Sequence, residues 1–135
     1  MTLHIHLVWE GPIRLEGAYQ LRNEKTDYGV YQVYGRHPVV GVTSLLYIGK
    51  AEEQPFGARL KQEKWEEWEE GEGPVEIRVG RLFGAETPSN EEWGRQIRLV
   101  EKLLIAANKP PRNGQGVAWL SRDADSACRD LHVLN

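Results

Sequence analysis

Near the start of the chain Leu3, Ile5 and Leu7 alternate with His4, His6 and Val8, the period of two that buries one face of a β-strand, and Gly11-Pro12 ends the run. Residues 29–35 and 44–49 concentrate β-branched and aromatic side chains, while Gly35, Pro38 and Gly41 punctuate the interval. That pattern predicts an antiparallel hairpin with a long connection. Pro55 suits the first turn of a helix that runs to about Glu70 and is stopped by Gly71, Gly73 and Pro74. Val75, Ile77 and Val79 alternate with Glu76 and Arg78, which predicts a strand over residues 75–83. Pro88, Ser89 and Asn90 followed by Glu91 and Glu92 open a second helix, which ends near Ala107 before Lys109-Pro110-Pro111. The segment before about Asp27 adds an edge strand, and residues 121–132, opening with Ser121 and Asp123, add a short helix. The predicted fold is therefore α/β of the α+β kind: a small, mainly antiparallel sheet of three core strands flanked by helices, with an extra N-terminal edge strand.

In the second helix Trp93, Ile97, Val100, Leu104 and Ala107 share one stripe at 100° per residue. Glu101 projects between Ile97 and Ile105, inside that apolar arc. A carboxylate there is costly to desolvate unless a cation or hydrogen-bond donor meets it. Two readings follow: a buried ion pair with Arg59 or Arg78, or a hard oxygen ligand for Mg²⁺ on a rigid helix. Trp65 and Trp68, three apart, either pack beneath the first helix or form an exposed aromatic and acidic partner surface.

Composition narrows the class without choosing a chemistry. A chain of 135 residues with 40% hydrophobic and 27% charged positions reads as one soluble globular domain over 1–135. The apolar stretch from Ile5 to Trp9 is too short for a spanning helix or a signal-peptide core, so no membrane is expected and the cytoplasm is the default location. Cys128 stands alone and excludes an internal disulfide, and His4, His6, His37 and His132 show no metal-ligand spacing. The formal charge of −3 argues against strong non-specific affinity for nucleic acid. Acidic residues crowd the interval from Glu52 to Glu72, however, whereas Arg78, Arg81, Arg95, Arg98, Lys102, Lys109 and Arg112 fall later and leave room for a local basic face.

One ordered set of residues remains: Gly29-Val30-Tyr31, then Tyr47-Ile48-Gly49-Lys50, then Arg59, Glu101 and Asn113. The set resembles the signature of the GIY-YIG nuclease superfamily, whose members carry two such strands, an arginine early in the next helix, a helical glutamate and a later asparagine. The likeness covers about residues 27–113 and is closest to small stand-alone members. It implies an endonuclease, a hydrolase that cuts DNA phosphodiester bonds with water as nucleophile, RNA being the alternative substrate. Under that resemblance Glu101 holds a single Mg²⁺ or Mn²⁺. Tyr31 and Tyr47 orient the water, with Tyr31 serving as base if cations such as Lys50 lower its pKa. Arg59 clamps the phosphate through parallel hydrogen bonds. Asn113 fixes the phosphate or a tyrosine through its amide, while Gly29 and Gly49 give the tyrosines room. The chain departs from the pattern at Glu63, where many relatives have His or Tyr four residues after the arginine. Glu63 is then a second base, a metal neighbour, or an (i, i+4) partner that quenches Arg59. No counterpart of the DNA-reading domains attached in homing and repair relatives is expected within these 135 residues. Substrate choice is left to loops near residues 36–43 and 84–90, to a homodimer or to a separate specificity protein. A non-catalytic nucleic-acid-binding or interaction module on the same scaffold is the alternative.

Overall fold

Strand β1 (Leu3–Arg14) does not stop at Gly11-Pro12 as the sequence suggests. Its ladder with β4 (Glu76–Leu82) shifts register between Glu10 and Ile13 and resumes at Ile13 opposite Ile77, so the glycine and proline are absorbed as an irregularity within the strand. The structure, a computed structural model, describes residues 3–36, 43–63, 65, 69, 73–83, 91–110, 113 and 131–134. A four-residue helix α1 (Leu15–Ala18) follows β1. Strands β2 (Gly29–Arg36) and β3 (Thr43–Ala51) then form the expected antiparallel hairpin, whose connection lies outside the described residues. Helix α2 (Phe56–Gln62) precedes β4, helix α3 (Glu91–Asn108) follows it, and β5 (Leu131–Leu134) comes last. The sheet order is β3-β2-β4-β1-β5. The first four strands are antiparallel neighbours with β1 at the border, and β5 adds in parallel to the outer side of β1. The fold is thus α+β, three core strands extended by the N-terminal strand.

The helix expected over residues 121–132 is corrected at its end, where Leu131 and His132 are strand paired with Leu3 and His4. The rest of that segment, Cys128, the connection over residues 84–90 with Ser89 and Asn90, and Trp68 lie outside the described residues. Helix α2 is shorter than predicted. Pro55 stands just before it, Glu63 caps it, and Trp65 and Glu69 again have helical backbone.

Because successive strand residues point to opposite faces, the sheet supports two cores. On one face Ile5, Leu7, Tyr28, Val30, Ile48 and Leu82 pack against Trp93, Ile97, Val100, Leu104 and Ile105 of α3. On the other, Tyr31, Val33, Ile77 and Val79 pack against Leu15 and Ala18 of α1, Phe56 and Leu60 of α2, and Trp65. Covering both faces explains why β2 reads as a nearly unbroken apolar run. The α3 stripe is the predicted one except at its end, where Ala107 is exposed and Ile105 takes the inward position. Trp65 is buried with its ring 5.4 Å from that of Tyr47, as the packing reading requires. Asp27, 6% exposed, accepts two hydrogen bonds from Arg81 (2.8 and 3.3 Å) and one from the Asn23 N–H (2.8 Å), tying the entry of β2 to β4. Removing Arg81 would strand the buried Asp27 carboxylate, whereas Arg81 is a quarter exposed and also meets Glu10. Among the described residues no helix is long and apolar enough to cross a membrane.

Candidate active site

The register of the hairpin sets the first two groups. Tyr31 lies opposite Gly49 and Val33 opposite Tyr47, so Tyr31, Tyr47 and Gly49 share the face covered by α1 and α2. The two phenol rings are 6.1 Å apart between centroids. A side chain at residue 49 would land on the Tyr31 ring and hydroxyl, which gives the glycine of this tripeptide a packing reason. Gly29 has a backbone reason: its φ is 149° and a Cβ would strike the Gly80 carbonyl.

Tyr31 is fully buried, hydroxyl included, and the polar group that engages it is the Tyr47 phenol. Burial pushes its pKa well above the ordinary phenol value, the Tyr47 phenol adds to the rise, and the Arg59 charge opposes it. Tyr47, half-buried, is shifted the same way, first by burial and then by the Glu63 carboxylate. A cation does lower the Tyr31 pKa, but it is Arg59 and not Lys50, and burial outweighs it, so in the metal-free protein both phenols are O–H donors. Lys50 is opposite Val30, on the α3 side of the sheet, and its ammonium pairs with Glu52 at 3.1 Å.

Arg59 enters from α2. Its Nη1 lies 2.5 Å from Glu63 Oε1, one helical turn on, with the two side chains 26% and 33% exposed. The residue that departs from the nuclease signature thus meets the guanidinium directly. Glu101 enters from α3 and is half-buried. Neither proposed arginine bonds it: Arg59 is held by Glu63, and the Arg78 guanidinium lies over the Tyr34 ring at 5.2 Å. Among the described residues the Glu101 carboxylate makes no hydrogen bond or ion pair, though the charges of Lys50 and Arg59 reach it. Desolvation raises its pKa from the ordinary carboxylate value, Lys50 and Arg59 oppose the rise, and Glu52 adds to it. A partly desolvated hard oxygen donor without a partner fits a divalent cation, whose charge would reverse that shift. No group of three or more His, Cys, Asp or Glu gathers among the described residues, so any such ion would take at most two carboxylates from them and complete its shell with water and phosphate.

Asn113 is placed differently from the expectation. Its Oδ1 accepts from the Ile48 N–H and its Nδ2 donates to the Ile48 carbonyl, each at 2.9 Å. The amide imitates a neighbouring strand on the outer edge of β3, with its oxygen and its nitrogen both engaged by Ile48. It holds the backbone between Tyr47 and Gly49. Sequence reasoning missed Glu52, which takes both Lys50 and Arg98 and so fastens the end of β3 to α3. Nothing in local spacing couples Glu52 to Arg98, and the tie appears only once α3 lies on the sheet. Lys50, Glu52, Glu53, Gln54 and Arg59 line an open cavity of about 250 Å³.

The sheet edge thus brings together Tyr31, Tyr47, Arg59 and Glu63, with Glu101 within electrostatic reach, and leaves Asn113 as a backbone clamp. The chain matches no protein-family model, and comparisons with curated proteins and with solved structures give no match.

Proposed function

We propose that the chain is a divalent-metal-dependent endonuclease that hydrolyses phosphodiester bonds in DNA by attack of water, in the manner of the GIY-YIG enzymes it resembles. One observation carries the reading: at the edge strand the Tyr31 and Tyr47 rings lie 6.1 Å apart on one face of the sheet, the Arg59–Glu63 pair comes from α2, and Glu101 comes from α3, near enough for these charges to reach both phenols. Such mutual perturbation across four elements is what a built polar site produces.

Glu101 would hold the cation, Mg²⁺ or Mn²⁺. A bound divalent ion supplies Lewis acidity at the phosphoryl oxygen and acidifies water. Arg59, permanently charged, neutralises a phosphoryl oxygen through its N–H fork. Lys50, on the wall of the same cavity, adds a second positive charge. Tyr47, half-buried and protonated at neutral pH, donates a hydrogen bond that fixes the scissile group or the attacking water, while the enclosed Tyr31 phenol supports the Tyr47 hydroxyl. Asn113 positions Tyr47 through the β3 backbone.

The non-catalytic nucleic-acid-binding or interaction module is favoured by one observation, the Arg59–Glu63 pair that ties up the guanidinium. The two readings separate in one assay. Purified protein is incubated with branched, flapped and linear DNA, and with matched RNA, in Mg²⁺ or in chelator. The nuclease reading expects Mg²⁺-dependent nicking that Arg59→Ala and Glu101→Ala abolish while far-UV circular dichroism is unchanged. Full activity in either variant would refute the assigned site, and binding without nicking by the parent protein would support the module.

A further inference from the structure

The Arg59 guanidinium borders the open cavity on one side and meets Glu63 on the other. Glu63 is its hydrogen-bond and ion-pair partner among the described residues, through Nη1 and Oε1, and the remaining donors of the fork have none. Glu63 is also the capping residue of α2, with φ −89° and ψ −2°, and its N–H returns to the Leu60 carbonyl at 3.2 Å. Its backbone is therefore anchored while its side chain, one-third exposed, is free to leave without unwinding the helix. The other cation lining the cavity shows the same arrangement, since Lys50 is matched by Glu52 two residues on.

A carboxylate and a phosphodiester present similar paired oxygens to a guanidinium, and the planar fork accepts either. We infer that Glu63 occupies in the free protein the place a phosphodiester takes on Arg59, and that this internal competitor sets the affinity and selectivity of the site for polyanions. The identity of the incoming anion rests on the nuclease reading above; the competition itself does not. An isolated weak anion displaces Glu63 only at high concentration. A nucleic acid, which brings several phosphates and compensates the lost pair through neighbouring contacts, succeeds. The arrangement also accounts for an acidic chain carrying a phosphate site, because its cations are neutralised until substrate arrives.

The test uses the full chain, Glu63→Gln, Arg59→Ala and the double variant. Dissociation constants are measured by fluorescence anisotropy with a labelled flapped DNA in chelator. In parallel, the Arg59 Nε–H resonance is followed by NMR during titration with dimethyl phosphate. Glutamine keeps the shape and removes the charge, so Glu63→Gln is expected to bind DNA about fivefold more tightly, the change that corresponds to about 1 kcal/mol for a partly exposed ion pair. Its Arg59 resonance should respond to lower dimethyl phosphate concentrations than in the parent, and Glu63→Gln should have no effect in the Arg59→Ala background. Unchanged or weaker binding by Glu63→Gln overturns the inference. Equal tightening with and without Arg59 also overturns it, since the effect would then be bulk charge. Absence of phosphodiester binding by parent and variant alike overturns it too, because the freed fork would not be a phosphate site. Tighter binding by Glu63→Gln without cleavage by any form sinks the nuclease reading and leaves the competition standing. Mg²⁺-dependent cleavage with no change in affinity does the reverse.

Discussion

Replacing Asn113 by alanine removes both hydrogen bonds that close the outer edge of β3, one given by its Nδ2 to the Ile48 carbonyl and one accepted from the Ile48 N–H. Each such bond contributes about 1 kcal/mol net, and a backbone group left unpaired in a desolvated place costs about 1–3 kcal/mol. The Ile48 side chain is fully buried under α3, so this edge is only partly open to replacement water. Asn113→Ala is therefore expected to destabilise the protein by about 2 kcal/mol. Urea unfolding followed by tryptophan fluorescence measures this as a lower midpoint at unchanged slope. Asn113→Asp sharpens the reasoning. The carboxylate still accepts from the Ile48 N–H, but its second oxygen faces the Ile48 carbonyl, where only a donor fits. At neutral pH the aspartate should be at least as damaging as the alanine. A loss below about 0.5 kcal/mol for Asn113→Ala, the range of ordinary surface changes, would refute the clamp. An aspartate variant as stable as the parent would refute the direction assigned to the amide.

Two further outcomes follow from the same packing. Gly49→Ala places a methyl group against the Tyr31 ring and should cost about 1–3 kcal/mol in the same unfolding assay, as overpacking in a filled core does; a neutral effect would mean that the ring moves freely. Glu101→Gln should stabilise the metal-free protein at pH 7 while abolishing cleavage. Desolvation raises the folded-state pKa of Glu101 above its ordinary 4.5, so its favourable contribution is complete below that value and is lost as pH rises through the folded pKa. The neutral glutamine keeps the contribution, and its advantage in urea midpoint should vanish below pH 4.5, which equal stabilities at pH 7 would contradict.

The strands and helices were legible because each segment carries one dominant period. The alternation in residues 75–83 and the α3 stripe survive folding because a sheet buried on both faces and a helix laid on it both require them. Illegible were features decided by distant partners. Gly11-Pro12 reads as a terminator from local propensity, yet pairing with β4 on both sides carries the strand through. Leu131 and His132 follow a helix-like opening at Ser121, yet the free side of β1 draws them into the sheet. At the candidate site the nearness of Tyr31, Tyr47 and Arg59 could be anticipated, but the surroundings that set their protonation could not. The phenol of Tyr31 is set by a burial that no spacing reports, and the amide of Asn113 by a backbone edge 65 residues away.

The candidate site draws on both sides of the sheet, which is possible only at an edge such as β3. Tyr31, Tyr47 and Arg59 belong to the face under α1 and α2, whereas Glu101 comes from α3 on the opposite face. Through the middle of a sheet such groups would be separated by a layer of backbone. Around an edge strand they can approach one another, and β3 is the edge of the described sheet. An edge strand, however, offers unpaired N–H and C=O groups that invite another chain. The side chain of Asn113 satisfies one residue of that edge without adding a strand that would wall off the approach to Glu101. An asparagine can do this because its amide carries a donor and an acceptor side by side, the pairing a peptide unit itself would offer. The same reasoning makes position 113 intolerant of serine or threonine, whose hydroxyl cannot span both Ile48 groups in the same geometry.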